Sequence, residues 1–494
     1  MRLIDLFSHF DRASFDNAHA DQLVSQVTSD SRKIDAGGVF VAIKGRHFDG
    51  HDFIPQALEN GAIAIAAERP CETGDVPLII AENSRLLLSQ LARAMTPSQP
   101  GVIAAITGTN GKTSTADFLR QIWEHVGWHS ASMGTLGIRG STIGPIADLS
   151  NLTTPDAVAL HQNLQALSKT GITNLAMEAS SHGIEQDRLA SVKIAAAGFS
   201  NLSRDHLDHH IDMDSYFNAK ARLFTELLPE GGGAAINIDD PAGKTLVKKL
   251  KGRAINIITM GRDKNADLKI EAINTFDGGM TVTASFQGQQ WTIPIALLGE
   301  FQVENALMAA GLAHATGLSM THALMALPYL KPAPGRMQHI HGHPKGAAVL
   351  VDYAHTPDAL KTALETLRAN CPGQLGVVFG CGGDRDQGKR QEMGAIAAEY
   401  ADFTIVTDDN PRHEDPAAIR DAILKSVPNA QNIGDRHTAI RQGLEHITSG
   451  DVLLVAGKGH EDNQLIGSET LPFSDAAVIT AILSNMAKKD GGAS

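Results

Sequence analysis

Residues 107–114 read Thr-Gly-Thr-Asn-Gly-Lys-Thr-Ser and directly follow an apolar run at 102–106. That pattern dictates a strand that turns sharply into a helix starting near Lys112. Gly108 and Gly111 let the backbone close around an oxyanion, which then faces first-turn N–H groups and the positive end of the helix dipole. Lys112 offers a point charge to phosphate oxygens, and the Thr113 hydroxyl suits Mg²⁺. The full phosphate-loop pattern has a glycine five residues before Gly111. That position is Ile106, so only Gly-x-x-Gly-Lys-Thr is present. A glycine-rich turn with a solvated lysine is the competing reading.

At 494 residues the chain is too long for one core, and the usual ~100–200 residues per domain predicts three. Two Pro/Gly stretches, 96–101 and 328–335, interrupt regular structure and divide the chain into 1–99, 100–331 and 332–494. Strand candidates at 102–107, 175–178, 195–199 and 234–237 alternate with helices such as 113–125. The last segment repeats the pattern at 349–353, 376–379, 403–407 and 452–456, with helices such as 358–368 and 417–426. This is an α/β chain: a small N-terminal α/β domain, a central P-loop-type doubly wound parallel sheet, and a C-terminal Rossmann-like domain. Such sheets bind ligands at the carboxyl ends of their strands, where the loop at 107–114, Glu178, Asn201, His355 and the polar stretches 384–386, 408–412 and 458–461 all fall.

A formal charge of −13 excludes a general nucleic-acid scaffold. Three cysteines outside any metal spacing fit a reducing compartment. No apolar run approaches the ~20 residues that span a bilayer, and the first residues carry no cleavable leader pattern. These features predict a cytoplasmic protein that does not insert in membranes.

Several constellations carry chemistry. Glu178-Ala-Ser-Ser-His182 follows a strand, and its carboxylate is a hard donor for Mg²⁺; Ser180 and Ser181 equally suit a helix N-cap. The stretch 201–210 is dense in ligand types, so a zinc cluster, a histidine on a second Mg²⁺ and a solvated polar loop all remain open. On spacing alone Lys220 is a helix lysine with a solvated head. The glycine-rich turn at 380–386 with Arg385, the stretch Asp409-Asn410-Pro411-Arg412, and Glu461 could grip a zwitterion: arginine forks match carboxylates, and acids match ammonium. Ordinary surface charge is the alternative. The turns at 29–32 and 44–50 could hold an anionic or sugar ligand, or be turn chemistry only.

Taken together, residues 107–114, 178–182, 201–206, Lys220, Glu304-Asn305 and Asp352-Tyr-Ala-His355 resemble the Mur ligases, and the resemblance spans all three segments. The Gly-x-x-Gly-Lys-Thr spacing is the form that family uses. Asp-Asn-Pro-Arg at 409–412 is its pattern for meso-diaminopimelate. The resemblance implies the following roles. Gly108, Thr109, Asn110, Gly111, Lys112, Thr113 and Ser114 bind ATP, with Asn305, Arg336 and Asp352 on the nucleotide. Thr113, Glu178, His206 and a CO₂-carbamylated Lys220 hold Mg²⁺, and Lys112, Glu178, His206 and Lys220 form the catalytic set. Ser29, Ser31, Gly45, Arg46, His47 and Phe48 hold the UDP end of UDP-MurNAc-L-Ala-D-Glu. Thr153, Thr154, Ser180, Gln186 and Arg188 hold its muramoyl dipeptide. Arg385, Asp409, Asn410, Pro411, Arg412, Gly457 and Glu461 hold diaminopimelate.

The implied activity is ATP-dependent amide ligation through an acyl phosphate, by a monomer. Alternatives are a relative that adds lysine or glutamate, and a P-loop switch protein. A lysine substrate leaves Arg412 without a distal carboxylate. A folylpolyglutamate-type acceptor leaves the first-domain turns without a UDP group. A switch protein needs neither Lys220 nor the zwitterion pocket.

Overall fold

The computed structural model describes residues 1–8, 17–45, 48–141, 143, 152–205, 209–276 and 279–491. Arg46, His47 and His206 lie outside the described residues.

Three main sheets follow one another along the chain. The first has four strands, β1 (Gln26–Thr28), β2 (Gly38–Val41), β3 (Ala62–Ala67) and β4 (Leu78–Ile80), in sequential order and all parallel.

The second sheet has ten strands: β5 (Val102–Thr107), β6 (Ser130–Gly134), β7 (Gly137–Arg139), β8 (Asn174–Glu178), β9 (Ala196–Phe199), β10 (Gly233–Asn237), β11 (Asn256–Gly261), β12 (Leu268–Phe276), β13 (Gly279–Phe286) and β14 (Gln289–Ile295). Their order is β14-β13-β12-β11-β10-β9-β5-β8-β6-β7. Strands β12 to β6 across the middle are parallel, and both faces are covered. Alternate side chains of β5 go to opposite cores: Ala104 and Ile106 to one, Ile103 and Ala105 to the other. A strand buried on both faces reads as a continuous apolar run, which is why these strands are legible at 102–107 and 175–178.

At its two edges the sheet adds antiparallel strands to the parallel centre expected from the sequence. The pairs β12·β13, β13·β14 and β6·β7 are antiparallel. The β13–β14 connection is Gln287-Gly288, both with positive φ, the pairing that suits a tight hairpin. Burial along β13 alternates, so one face is more open to water and no unbroken apolar run marks it.

The third sheet comprises β15 (Gln338–Ile340), β16 (Ala348–Asp352), β17 (Leu375–Phe379), β18 (Phe403–Val406), β19 (Gln431–Asn432) and β20 (Val452–Ala456), in the order β15-β16-β20-β17-β18-β19, with β15 antiparallel at one edge. A small hairpin, β21 (Asn463–Ile466) and β22 (Glu469–Pro472), follows it. Among the described residues no helix is long and apolar enough to cross a membrane.

Candidate active site

The turn after β5 leads into the helix Lys112–His125 as the sequence requires. Gly111 has φ 85°, and a β-carbon there would strike the Asn305 side chain, so only glycine fits. Adjacent strand ends clamp the loop. Thr109 N–H donates to the Asn201 carbonyl (2.9 Å), Asn110 N–H to Asn201 Oδ1 (2.9 Å), and Ser200 Oγ to the Asn110 carbonyl (2.6 Å). Lys112 folds back on the loop, its Nζ donating to the carbonyls of Gly108 (3.0 Å) and Thr109 (2.8 Å).

Lys220 departs from its sequence expectation. It is not a solvated helix lysine: it is 1% exposed. Its Nζ donates to the Gly108 carbonyl at 2.8 Å and lies 4.3 Å from the Tyr216 ring centroid. Helical spacing says which residues share a face, but not that this face meets the phosphate loop. Burial, reinforced by Lys112, holds the Lys220 ammonium well below the usual lysine range. Burial also lowers Lys112, while Glu178 and Asp205 oppose it.

Glu178 ends β8 and is 2% exposed. Thr135 donates to it twice, from N–H to Oε1 (2.8 Å) and from Oγ1 to Oε2 (3.1 Å). Thr135 pairs in turn with Thr153 (3.2 Å). Thr154, Ser180, Gln186 and Arg188 form one network beside it. Thr154 Oγ1 donates to the Glu178 carbonyl (3.0 Å), and Arg188 donates to the Thr154 carbonyl (2.6 Å) and to Gln186 Oε1 (2.7 Å). Ser180 also caps the helix Ser181–Glu185, accepting from Gly183 N–H. The capping and ligand readings of this segment are therefore compatible.

In the third sheet, Arg336 reaches across to Thr113, donating to its Oγ1 at 3.1 Å, and lies 4.4 Å over the Tyr353 ring. Asp352 accepts from Met337 N–H (2.6 Å); burial raises its carboxyl against the pull of Arg336. Asp409 and Asn410 are buried. Asn410 donates to Glu461 (2.8 Å) and accepts from Lys458 Nζ (3.1 Å), which also pairs with Glu461 at 3.0 Å. Arg412 donates to the Gly383 carbonyl at 2.9 Å. Gly457, at φ 113°, packs where a β-carbon would strike Asp409.

A cleft of ≈ 650 Å³ joins the two halves. Arg385, Asp409, Asn410, Arg412, Gly457 and Glu461 line it from one side; His182 and residues 203–205 line it from the other. Arg204 and Glu392 bridge the two sides at 3.2 Å.

In the first segment Ser31 Oγ donates to Gln56 (2.7 Å), Gly45 N–H donates to the Phe48 carbonyl (2.8 Å), and Phe48 and Ser29 are exposed. These residues are not among the cleft lining. Their segment meets the network above where Asn83 donates to Asp187 (2.9 Å). Sequence reasoning missed Thr135, for which there is no local signal, and Lys389, which lines the cleft and donates to the His355 carbonyl. The neighbouring Gly388 and Arg390 could have flagged Lys389.

Models of the Mur ligase middle domain, the Mur ligase glutamate ligase domain and the Mur ligase family catalytic domain match residues 106–313, 335–459 and 23–96. The UDP-N-acetylmuramoyl-L-alanyl-D-glutamate–2,6-diaminopimelate ligase of Bradyrhizobium diazoefficiens is 45% identical over 491 residues, covering 98% of this chain and 99% of that one. The ligase of the same name from Caulobacter vibrioides is 44% identical, covering 92% and 95%. A solved structure of a ligase of that name superposes with TM-score 0.69 at 34% identity, covering 97% of this chain and 99% of that one. A folylpolyglutamate synthase of Mycobacterium tuberculosis, at 18% identity and TM-score 0.62 over 82% of this chain and 94% of that one, shares the fold. With all three segments matched and relatives aligned end to end, the chain belongs to the Mur ligase family.

Proposed function

We infer that the protein is an ATP-dependent amide ligase that joins meso-2,6-diaminopimelate to the D-glutamate γ-carboxyl of UDP-MurNAc-L-Ala-D-Glu, a step of peptidoglycan precursor synthesis. The observation that carries this reading is the shared cleft. Asp409, Asn410, Arg412 and Glu461 face residues 203–205, which bracket the phosphate loop. The names of relatives at 45% identity agree with it.

Ser29, Ser31 and the turn at 45–48 hold the uridine diphosphate, and the Thr153–Arg188 network holds the dipeptide. ATP lies on residues 108–114 with Asn305, Arg336 and Asp352. A γ-carboxylate oxygen attacks the γ-phosphorus, and the bond to ADP breaks. Lys112 exchanges its two loop carbonyls for phosphate oxygens, so its charge is already positioned. The diaminopimelate amine then attacks the acyl phosphate, and phosphate leaves. His355 Nδ1 donates to the Tyr353 carbonyl at 2.8 Å, which leaves Nε2 to accept; burial pushes this imidazole down to about 4. His355 is therefore a poor proton sink at neutral pH for the amine proton. The acyl phosphate must be kept from water, which favours closure of the third segment over the second.

The donor chemistry fits Mg²⁺: the Glu178 carboxylate and Thr113 hydroxyl are hard, largely buried oxygens. Thr113, Glu178, His206 and carbamylated Lys220 would hold it, and when bound it neutralises phosphate charge. The buried Lys220 amine supports the carbamate reading. A neutral amine adds to CO₂, forming an N–C bond and releasing a proton, which turns a cation into an anion. We also place the domain limits at 1–99, 100–331 and 332–494, in a cytoplasmic monomer; each sheet lies within one unit.

Phosphate release with ATP, Mg²⁺, the UDP-linked acceptor and either meso-diaminopimelate or L-lysine tests the reading. Release is expected to require acceptor and amine, and to favour diaminopimelate. Equal rates with both amines refute the specificity; release without any amine refutes ligation.

A further inference from the structure

Three clustered imidazoles take no part in these steps, and one of them, His182, lines the cleft. His182 lies in the helix Ser181–Glu185, and His209 and His210 lie just before the helix Met213–Arg222. One ring nitrogen of each falls within 4.8 Å of the others. His182 and His209 stack at 3.6 Å between centroids; His209 and His210 meet edge-on at 4.9 Å. A carboxylate joins two of them: Glu185 Oε2 is 2.7 Å from His209 Nε2 and 4.0 Å from His210 Nδ1. His210 is buried, with Nε2 3.0 Å from Ser181 Oγ. If Ser181 takes the Nε2 proton, the Nδ1 lone pair points towards the same side as the carboxylate.

We propose that His182, His209 and His210, with Glu185 as fourth ligand, form a site for a transition cation of the zinc class, distinct from the magnesium set. Imidazole nitrogen selects zinc, cobalt, nickel or copper over magnesium, which takes oxygen and keeps its waters. Zn–N bonds of ~2.0–2.1 Å place tetrahedral nitrogens about 3.4 Å apart. The ring nitrogens already lie within 4.8 Å of one another. Occupancy would fasten His209 and His210 to the helix that follows Glu178. A few residues earlier, Ser203 N–H donates to Thr109 Oγ1 of the phosphate loop at 3.0 Å.

The test uses the full chain without an affinity tag, stripped with chelator and titrated with Co²⁺ alone. One Co²⁺ per chain with the intense visible absorption of a tetrahedral nitrogen site is expected, displaced by Zn²⁺. His209→Gln should abolish the band while keeping Mg²⁺-dependent ligation, which also shows that the variant folds. Glu185→Gln should weaken binding about tenfold. Glu178→Gln should leave the band intact. A band that survives in His209→Gln and disappears in Glu178→Gln would place the metal in the magnesium set and overturn the proposal. Co²⁺ binding no tighter than that of His209→Gln would overturn it equally.

Discussion

Replacing Arg412 by lysine isolates what the guanidinium fork contributes to amine selection. The backbone at 412 is left-handed (φ 52°) and held on both sides, by its N–H to the Leu465 carbonyl (3.0 Å) and by Gly467 N–H to its own carbonyl (2.6 Å). Arg412→Lys therefore keeps the loop and the charge. It removes the planar pair of donors, one nitrogen of which rests on the Gly383 and Asn410 carbonyls. A distal carboxylate of the substrate then loses one charge-assisted hydrogen bond, about 1.5–3 kcal/mol. At about 1.4 kcal/mol per tenfold, the KM for meso-diaminopimelate should rise about 10- to 150-fold. The KM values for ATP and for the UDP-linked acceptor should move less than about twofold, because Lys112 and Glu178 lie on other strand ends. Phosphate release at saturating ATP and acceptor, with diaminopimelate varied, reads this directly. An unchanged diaminopimelate KM, or an equal rise in the ATP KM, would refute the assignment of Arg412 to the amino-acid grip.

Lys220→Met should lose at least about 100-fold in kcat. Wild-type activity should fall when CO₂ is purged and return with bicarbonate, whereas the variant should respond to neither; purging without effect on wild type would remove the carbamate. Asp475→Asn strips the carboxylate that holds Arg436 at 2.8 and 2.7 Å in a fully buried pair. Breaking such a pair costs about 3–5 kcal/mol. Arg436 also donates to the Ala456 and Asp408 carbonyls, the residues before Gly457 and Asp409. The urea midpoint of the C-terminal unit should drop and the diaminopimelate KM should rise together; a stability loss with unchanged KM would separate them. Burial pushes the Glu304 carboxyl up to about 7 from 4.5, with Arg262 opposing and Asp239 and Glu300 adding. A raised folded pKa stabilises below the unfolded value, and that stability is lost as pH rises through the folded value. The Tm should therefore fall between pH 4.5 and about 7, and Glu304→Gln should flatten that slope; parallel Tm–pH curves for the two proteins would contradict this.

Backbone chemistry made parts of the site legible in the sequence. Glycine spacing and an apolar run specify the strand–turn–helix at 102–125 because both act within a few residues. The central strands at 102–107, 175–178, 195–199 and 234–237, and those at 349–353, 376–379, 403–407 and 452–456, were legible for the same reason, as apolar runs, whereas β11, partly open to water, and β19, exposed, were not. The strand pair β13 and β14 was not, since its half-open faces carry a mixed pattern. Glu178 was visible only as an acid after a strand; its partner Thr135 comes from the end of β6 with no pattern of its own.

Sequence by itself determined the phosphate loop, the α/β alternation and the polar residues gathered after strand ends, since each follows from local periodicity and turn chemistry. Tertiary structure alone decided the electrostatics. Lys220 has the local pattern of a surface helix lysine, and it becomes a buried amine only because its helix face packs on the Gly108 carbonyl beside Lys112. His182 meets His209 and His210 only because the helix after β8 packs against the helix that carries Lys220, just after those two histidines. Burial and proximity of charges are sums over distant chain segments, and no local window contains them.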